Sequence, residues 1–245
     1  MKWPKTALVL ATAIAVGPWS AGCREKPQQY GRESILLLPT KRRQIWAVAP
    51  AVNLSGQGGV DPLLHADLAF EQLQQIGGLT VIPVNRVAQV YVAMGIENVQ
   101  SPEQAAHVCE TLGAGGLVVP TITIYDPYNP PKFGGALQLF RTRASMARAQ
   151  QPLDGEPIAA AGQIDAGGES GGARGGEAVV LIQSVGMYDA ANGSVRDALR
   201  TYSTGRHDPV GPLGPKEYLV NMDRFCGFAY RALTESLLYE MRKVR

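Results

Sequence analysis

The sequence predicts an α/β fold, of the α+β kind, in which helices pack on a single mixed β-sheet. Two observations support this prediction. Short runs rich in valine, isoleucine and threonine recur along the chain, and between them the apolar residues recur every three or four positions, as on one face of a helix. The chain has 245 residues, of which 45% are hydrophobic, so it has enough apolar material for the core of one domain.

The amino-terminal half of the predicted domain alternates between strands and helices. Residues 45–52 form an apolar run that stops at a turn-forming Asn-Leu-Ser-Gly segment, which is typical of a buried strand. A helix follows at residues 62–76, because Asp61 can cap it and Pro62 suits its first turn. Similar signals predict strands at 80–83, 117–125 and 135–143, and helices at 85–94 and 101–112. Pro120 lacks a backbone N–H, so it predicts a sheet edge or a bulge near the start of its strand.

The carboxy-terminal half contains an interruption, a predicted hairpin and a long helix. Residues 146–177 have few large apolar side chains, so they are predicted to be a disordered, Gly/Ala-rich insertion. Residues 178–188 and 195–204 alternate as strands do, and Asn192-Gly193 between them indicates a tight antiparallel hairpin. Residues 215–243 predict one long helix that covers a face of the sheet. Its apolar stripe consists of Leu219, Met222, Cys226, Ala229, Leu233 and Leu237.

The first 23 residues have the three-part layout of a secretory signal. Lys2 and Lys5 precede an apolar run at residues 7–17, and small residues then lead to Cys23. That run is shorter than the roughly 20 apolar residues of a membrane-spanning helix, and Pro18 interrupts it. We therefore expect cleavage rather than a permanent span.

The segment Ser20-Ala21-Gly22-Cys23 resembles the lipobox of bacterial lipoproteins, although Ser20 stands where that motif usually has leucine. The resemblance implies that residues 1–22 are a lipoprotein signal peptide and that Cys23 carries the lipid, facing the periplasm. Arg24 follows the cysteine where inner-membrane lipoproteins of enteric bacteria have aspartate, which favours the outer membrane over the inner membrane. The alternative is an ordinary signal peptide cut near Ala21, with Cys23 a free or disulfide-bonded thiol.

Under this interpretation, residues 23–44 are the lipidated cysteine with a polar tether, and residues 45–245 are a single domain. The tether ends in Lys41-Arg42-Arg43, which either touches anionic headgroups or forms a solvated boundary. The net charge of +2 is too small to draw nucleic acid by long-range attraction. The expected partners are therefore the membrane, through the lipid anchor, and other envelope proteins.

Three local motifs resemble the curli-secretion lipoprotein (CsgG-like) family and the amino-terminal domain of TolB. They are the first strand with its Asn-Leu-Ser-Gly turn at 53–56, the Leu-Gly-Ala step at 112–114, and the Tyr-Asp turn at 188–189, and together they lie within residues 45–205. Pro120 departs from the family, which commonly has glycine there. The resemblance implies a non-enzymatic fold that binds or assembles with proteins.

The residue pattern indicates neither an enzyme active site nor a metal site. His65, His107 and His207 lack the spacing of zinc ligands, and no glycine-flanked serine accompanies His207-Asp208 as in a hydrolase triad. The glycine clusters lack the lysine of a phosphate loop and the dinucleotide fingerprint, so no cofactor is expected. Cys109 and Cys226 are interpreted as buried small hydrophobes, although an oxidising compartment would permit a disulfide.

The function expected from the sequence is that of a lipid-anchored envelope protein that is not an enzyme. The first hypothesis is a protein-binding or assembly component, an accessory to secretion or export, and one that forms a homo-oligomer. The alternative is a monomeric regulatory lipoprotein that binds a cell-wall synthesis enzyme. The oligomeric state separates the two.

Overall fold

The computed structural model describes residues 36–40, 42–142, 145–146, 179–207 and 210–243. Cys23, the predicted signal peptide, most of the predicted tether and nearly all of the 146–177 insertion lie outside these residues. Lipidation, the domain boundaries and the insertion therefore stay predictions.

Eight strands and six α-helices make up the described part of the chain. The strands are β1 (Leu36–Leu37), β2 (Gln44–Val48), β3 (Val52–Asn53), β4 (Ile76–Gly77), β5 (Leu79–Ile82), β6 (Gly116–Asp126), β7 (Lys132–Thr142) and β8 (Val179–Asp189). The helices are α1 (Pro62–Gln74), α2 (Val84–Met94), α3 (Pro102–Leu112), α4 (Gly193–Ser203), α5 (Glu217–Val220) and α6 (Met222–Lys243), and a 3₁₀ turn covers Gly214–Lys216. None of these described helices combines the length and the apolar character that crossing a bilayer requires.

The main sheet is mixed, which confirms the predicted fold class. Its order is β5-β2-β6-β7-β8, and β3 also pairs with β6. Strands β5, β2, β3 and β6 run parallel, whereas β6, β7 and β8 are antiparallel. The short strands β1 and β4 pair separately in a parallel ribbon, so Leu36 and Leu37, which lie within the predicted tether, form a small strand.

Two apolar clusters lie on opposite faces of the parallel strands, because successive side chains of a strand point to opposite faces. Trp46 and Val48 belong to the larger cluster, together with α1, α4 and α6, and Ala47 and Ala49 belong to the smaller one with α2 and α3. The first face, under α1 and α6, is called the α6 face below. The second is called the α3 face.

Local capping explains why the predicted helix ends are mostly right. The Asp61 side chain accepts a hydrogen bond from the Leu63 N–H at 2.9 Å, and Ser101 accepts one from Gln104 at 3.3 Å. Gly95 and Gly113 close α2 and α3 in the left-handed conformation, at φ of 66° and 63°. These caps involve neighbours in sequence only, so the pattern alone indicates them.

The predicted hairpin strand at 195–204 is wrong, because this segment is helix α4. Asn192 takes no part in a two-residue turn; its side chain accepts a hydrogen bond from the Ser194 N–H at 2.9 Å and caps the helix. Ala198, Leu199 and Tyr202 are buried at helical spacing. Polar and apolar residues alternate in this segment well enough to resemble a strand. The apolar residues also recur every three or four positions, and this helical spacing determines how the segment packs.

Two further predictions need correction. The 215–243 helix is broken at Asn221, whose backbone is extended and whose side chain caps α6 by accepting from the Asp223 and Arg224 N–H groups. The 45–52 strand is split into β2 and β3, and Pro120 of β6 faces this gap. Strand β6 is therefore internal rather than at an edge, and the missing N–H of Pro120 breaks no ladder on that side. The irregular register of β6 lies between Ile122 and Ile124 instead.

Candidate protein-binding surface

The three histidines lie in three unrelated environments. His65 is 1% exposed; its Nδ1 lies 3.2 Å from the Tyr230 hydroxyl, and its ring stacks on Phe133. Burial lowers the pKa of His65 to about 4, against the opposing influence of Asp223 and Asp61, so the ring is neutral at pH 7. His107 is exposed on α3, and His207 bonds the Ser203 carbonyl through Nδ1 at 3.0 Å. The structure therefore brings no two of them together.

Cys109 and Cys226 are free and buried, and they lie on opposite sides of the sheet. The interpretation of both as small hydrophobes is confirmed. Burial raises the pKa of the Cys109 thiol to about 12, so it is a poor nucleophile at neutral pH. Within the described ranges, no group of three or more His, Cys, Asp and Glu side chains is arranged to hold a metal ion.

The outer face of β8 is the clearest exposed apolar feature among the described residues. Leu181, Val185 and Met187 lie on the α3 face of the strand, and they are 48%, 69% and 63% exposed. The exposed Gln183 lies between Leu181 and Val185 on the same face. Ile124 of β6 is 38% exposed and reaches over Gly134, which lies between it and Met187 in the register. We call Ile124, Leu181, Val185 and Met187 the β8 patch.

The opposite side of the same strand is packed, so β8 is held rigidly from one face. Ile182 and Tyr188 are each 4% exposed on the α6 face, and the Tyr188 ring lies 5.8 Å from the ring of Phe228. A Cβ at Gly186 would lie 2.6 Å from the Tyr188 hydroxyl, so only glycine leaves room for that ring. The exposed side chains of the β8 patch are therefore presented by a fixed backbone.

Strand β8 is also an edge of the described sheet, since it pairs with β7 alone there. Such an edge leaves alternate N–H and C=O groups free to pair with another strand, and natural edges are usually protected by lysine, proline or a bulge. The eleven residues of β8 include no lysine, arginine, glutamate or proline, and their register with β7 has no break. The strand therefore has none of these protective features.

The one charge on β8 is neutralised at the strand end. Asp189 lies 3.1 Å from the Lys132 ammonium of β7. Hydrogen bonds from the Ala191 N–H and from Lys132 hold the pKa of Asp189 below its ordinary value. This pair fixes the end of the β7–β8 ladder and leaves the rest of the strand uncharged.

Sequence reasoning missed the β8 patch, although a signal for it was present. Both alternating sets of residues in β8 are mostly apolar, apart from Gln183 and Asp189 in one and Ser184 in the other, which approaches the pattern of a strand covered on two faces. Among the described residues, only the α6 face of the strand is covered. Cys23, the predicted lipidation site, lies outside the described residues and is not placed with respect to the patch.

The known proteins that resemble this chain are found among solved structures. No family model and no curated protein matches the chain. The hypothetical protein CT253 from Chlamydia trachomatis is 13% identical, with a TM-score of 0.40, over 80% of this chain and 96% of that one. Lipoprotein GNA1162 from Neisseria meningitidis is 13% identical, with a TM-score of 0.38, over 69% and 99%. The PelC dodecamer from Paraburkholderia phytofirmans is 11% identical, with a TM-score of 0.32, over 66% and 84%.

TM-scores below 0.5 do not establish a common fold, so these likenesses carry no functional argument. The resemblance to the curli-secretion and TolB families likewise stays a prediction from local motifs.

Proposed function

We propose that this protein is a lipid-anchored, non-enzymatic component of the cell envelope that acts by binding protein, and that β8 is its docking strand. The observation that carries the binding role is the unprotected edge of β8 beside the exposed β8 patch. The lipobox-like segment that ends at Cys23 supports the anchor. An added strand would gain main-chain hydrogen bonds along the edge and apolar contacts on the α3 face.

A second copy of the chain is the occupant that the charge pattern favours. Two β8 strands can pair antiparallel about a two-fold axis, which makes the interface self-complementary. In that arrangement the two Asp189 residues lie at opposite ends, separated by roughly 35 Å for an eleven-residue strand. No like charges then meet, and the two sheets become continuous.

Size-exclusion chromatography coupled to light scattering tests self-association through β8 on the chain that lacks residues 1–23. We expect a dimer or a larger assembly at micromolar concentration. We expect a monomer for Val185→Lys, because position 185 lies near the middle of the paired strands, where the two introduced lysines would be like charges on neighbouring strands. Val92→Lys is the matched control: Val92 is 82% exposed on α2, away from the edge, so this change should leave the mass unaltered. Fractionation of cells that express the Cys23→Ser variant tests the lipid anchor. If Cys23 carries the lipid, the variant protein should be released from the membrane fraction.

A monomeric wild-type chain would contradict self-association through β8. The monomeric regulator of a cell-wall synthesis enzyme would then be the better hypothesis. A photocrosslinker placed at position 185 in native envelopes would test it, because the same edge would hold an extended segment of the enzyme.

A further inference from the structure

A groove of about 740 Å³ runs between α4 and the segment that carries the 3₁₀ turn and α5. Its first wall belongs to α4, where Gly193, Arg196, Asp197 and Arg200 line it. These four positions are spaced three and four residues apart, so they lie on one face of the helix. A Cβ at Gly193 would meet no atom within 4 Å, so the groove is open at that end.

The second wall and the bottom of the groove are largely apolar. Leu213 and Leu219 line the second wall, and Lys216 lies between them in the sequence. Leu199 of α4 also lines the groove and is only 3% exposed, so it lies deep in it, whereas Leu213 is 48% exposed. The groove therefore offers an apolar interior to a side chain that enters it.

Aromatic packing holds the two walls together. Tyr218 is 3% exposed, and its ring meets the ring of Tyr202 of α4 edge-on at 5.9 Å. Its hydroxyl donates to the Arg206 carbonyl oxygen at 3.3 Å. The neighbouring Glu217 carboxylate lies 3.6 Å from the Arg224 guanidinium of α6. The groove is thus preformed, which lowers the entropic cost of binding.

The rim of the groove is positively charged. Arg196, Arg200 and Lys216 line it, and Asp197 is the one carboxylate among the lining residues. Asp197 lies 3.7 Å from Arg200, so it offsets one of the three cations. Arg196 and Lys216 form no ion pair with any residue that the structure describes. A surplus of two positive charges therefore surrounds an apolar interior.

We infer that this groove binds an acidic segment of another protein, in which an apolar side chain is flanked by aspartate or glutamate. The apolar side chain enters between Leu199 and Leu219, and the carboxylates meet Arg196 and Lys216 at the rim. A protein segment fits better than a membrane because the groove is concave, and a flat bilayer surface does not reach Leu199.

This groove is a second binding surface, separate from the β8 patch. Its elements pack on the α6 face, whereas the β8 patch lies on the α3 face. The inference therefore does not depend on self-association through β8. The monomer expected for Val185→Lys should bind an acidic segment as well as the wild-type chain does.

Nuclear magnetic resonance of leucine methyl groups tests the inference on the chain that lacks residues 1–23. The probe is a peptide with one leucine between two pairs of glutamates. The Leu213 and Leu219 signals should shift on titration, and the Leu181 signal in the β8 patch should stay in place. Peptides with glutamine for glutamate, or serine for leucine, should bind at least tenfold more weakly. No shift at Leu213 and Leu219, or equal binding of all three peptides, would overturn the inference.

Charge variants separate a built groove from general attraction. Arg196→Glu and Lys216→Glu should each weaken peptide binding at least fivefold, because each replaces an attraction by a repulsion. Arg86→Glu reverses an exposed charge on α2 and is the matched control, with a change of less than about twofold. Equal losses in Arg86→Glu and Arg196→Glu would contradict a specific site.

A variant that fills the groove tests the inference without changing its charge. Gly193→Trp places a ring at the open end, so it should abolish peptide binding. The chain should still fold, since the added Cβ meets no neighbour, and thermal unfolding by circular dichroism checks this. Undiminished binding by folded Gly193→Trp would show that the peptide binds elsewhere.

Vesicles test the rival occupant, an anionic membrane. The same chain is sedimented with phosphatidylcholine vesicles that contain or lack phosphatidylglycerol. We expect no co-sedimentation that depends on Arg196 or Lys216. Co-sedimentation that requires phosphatidylglycerol and is lost in both Lys216→Glu and Gly193→Trp would assign the groove to lipid and overturn the inference.

Discussion

The two halves of the sheet are covered differently. The parallel strands β5, β2 and β6 lie between helices on both faces, whereas the antiparallel pair β7–β8 is packed by α6 on one face. The described residues leave the other face of β8 open. Ala47 on β2 and Val185 on β8 both point to the α3 face, yet Ala47 is 0% exposed and Val185 is 69% exposed. Whether an apolar strand residue is buried therefore depends on how far α2 and α3 extend over the sheet. The sequence of its own strand does not determine this.

The largest expected effect comes from comparing two single substitutions, each of which places a lysine on a different face of β8. Ile182→Lys puts an unpaired charge on the packed α6 face, where the wild-type side chain is 4% exposed, and should cost more than about 4 kcal/mol of unfolding free energy. Val185→Lys, three residues away on the open face, should change it by less than about 0.5 kcal/mol. Urea denaturation of both variants at low protein concentration measures the difference. Similar losses in the two would mean that the α3 face of β8 is covered after all.

A second expected effect concerns His65 in the covered core. The folded pKa of about 4 lies below the ordinary value of 6.5, so the unfolded chain binds a proton first as the pH falls. Stability is therefore lost between pH 6.5 and pH 4, by about 3 kcal/mol at pH 4.

Denaturation curves at pH 7 and pH 4 measure this loss, and a substitution isolates it. His65→Phe should remove about 3 kcal/mol of the pH dependence, although it also loses the 3.2 Å bond to Tyr230. His107→Gln, at an exposed position on α3, serves as the control and should retain the full dependence. An unchanged pH dependence in His65→Phe would assign the titration to other groups.

The smallest expected effect is at the end of β8, where the uncovered strand passes into α4. Asn192→Ala removes the cap bonded to Ser194 and should cost about 1 kcal/mol, whereas Asn192→Asp keeps an acceptor and should cost little. Thermal unfolding monitored by circular dichroism distinguishes the two variants. Equal stability of all three proteins would mean that the cap contributes nothing.

The misassigned helix α4 and the missed β8 patch have a common cause. Residues 195–204 alternate partly and also repeat every three or four positions, so the pattern alone does not decide between strand and helix. Burial of Leu199 and Tyr202 on the α6 face selects the helix. In the same way, the sequence of β8 is mostly apolar on both faces. One face is exposed because α2 and α3 do not extend over it.

The buried arginine is likewise a result of tertiary structure. Arg141 and Gln44 are 97 residues apart in the sequence, and nothing in their local motifs indicates that their side chains meet. Arg43 was recognised as part of a basic triplet, with a contact to anionic headgroups as one of two interpretations. Only the fold shows that Arg141 is buried against Gln44.

The sequence by itself determined the fold class, most helix ends and the expected anchor at Cys23. These follow from interactions between near neighbours, such as the caps at Asp61 and Ser101, and from the period of the apolar residues. Only the tertiary structure decided which apolar face of β8 stays open and that Arg141 is buried against Gln44. Both depend on contacts between segments far apart in the chain, and burial on those surfaces is a property of the packed layers rather than of any one segment.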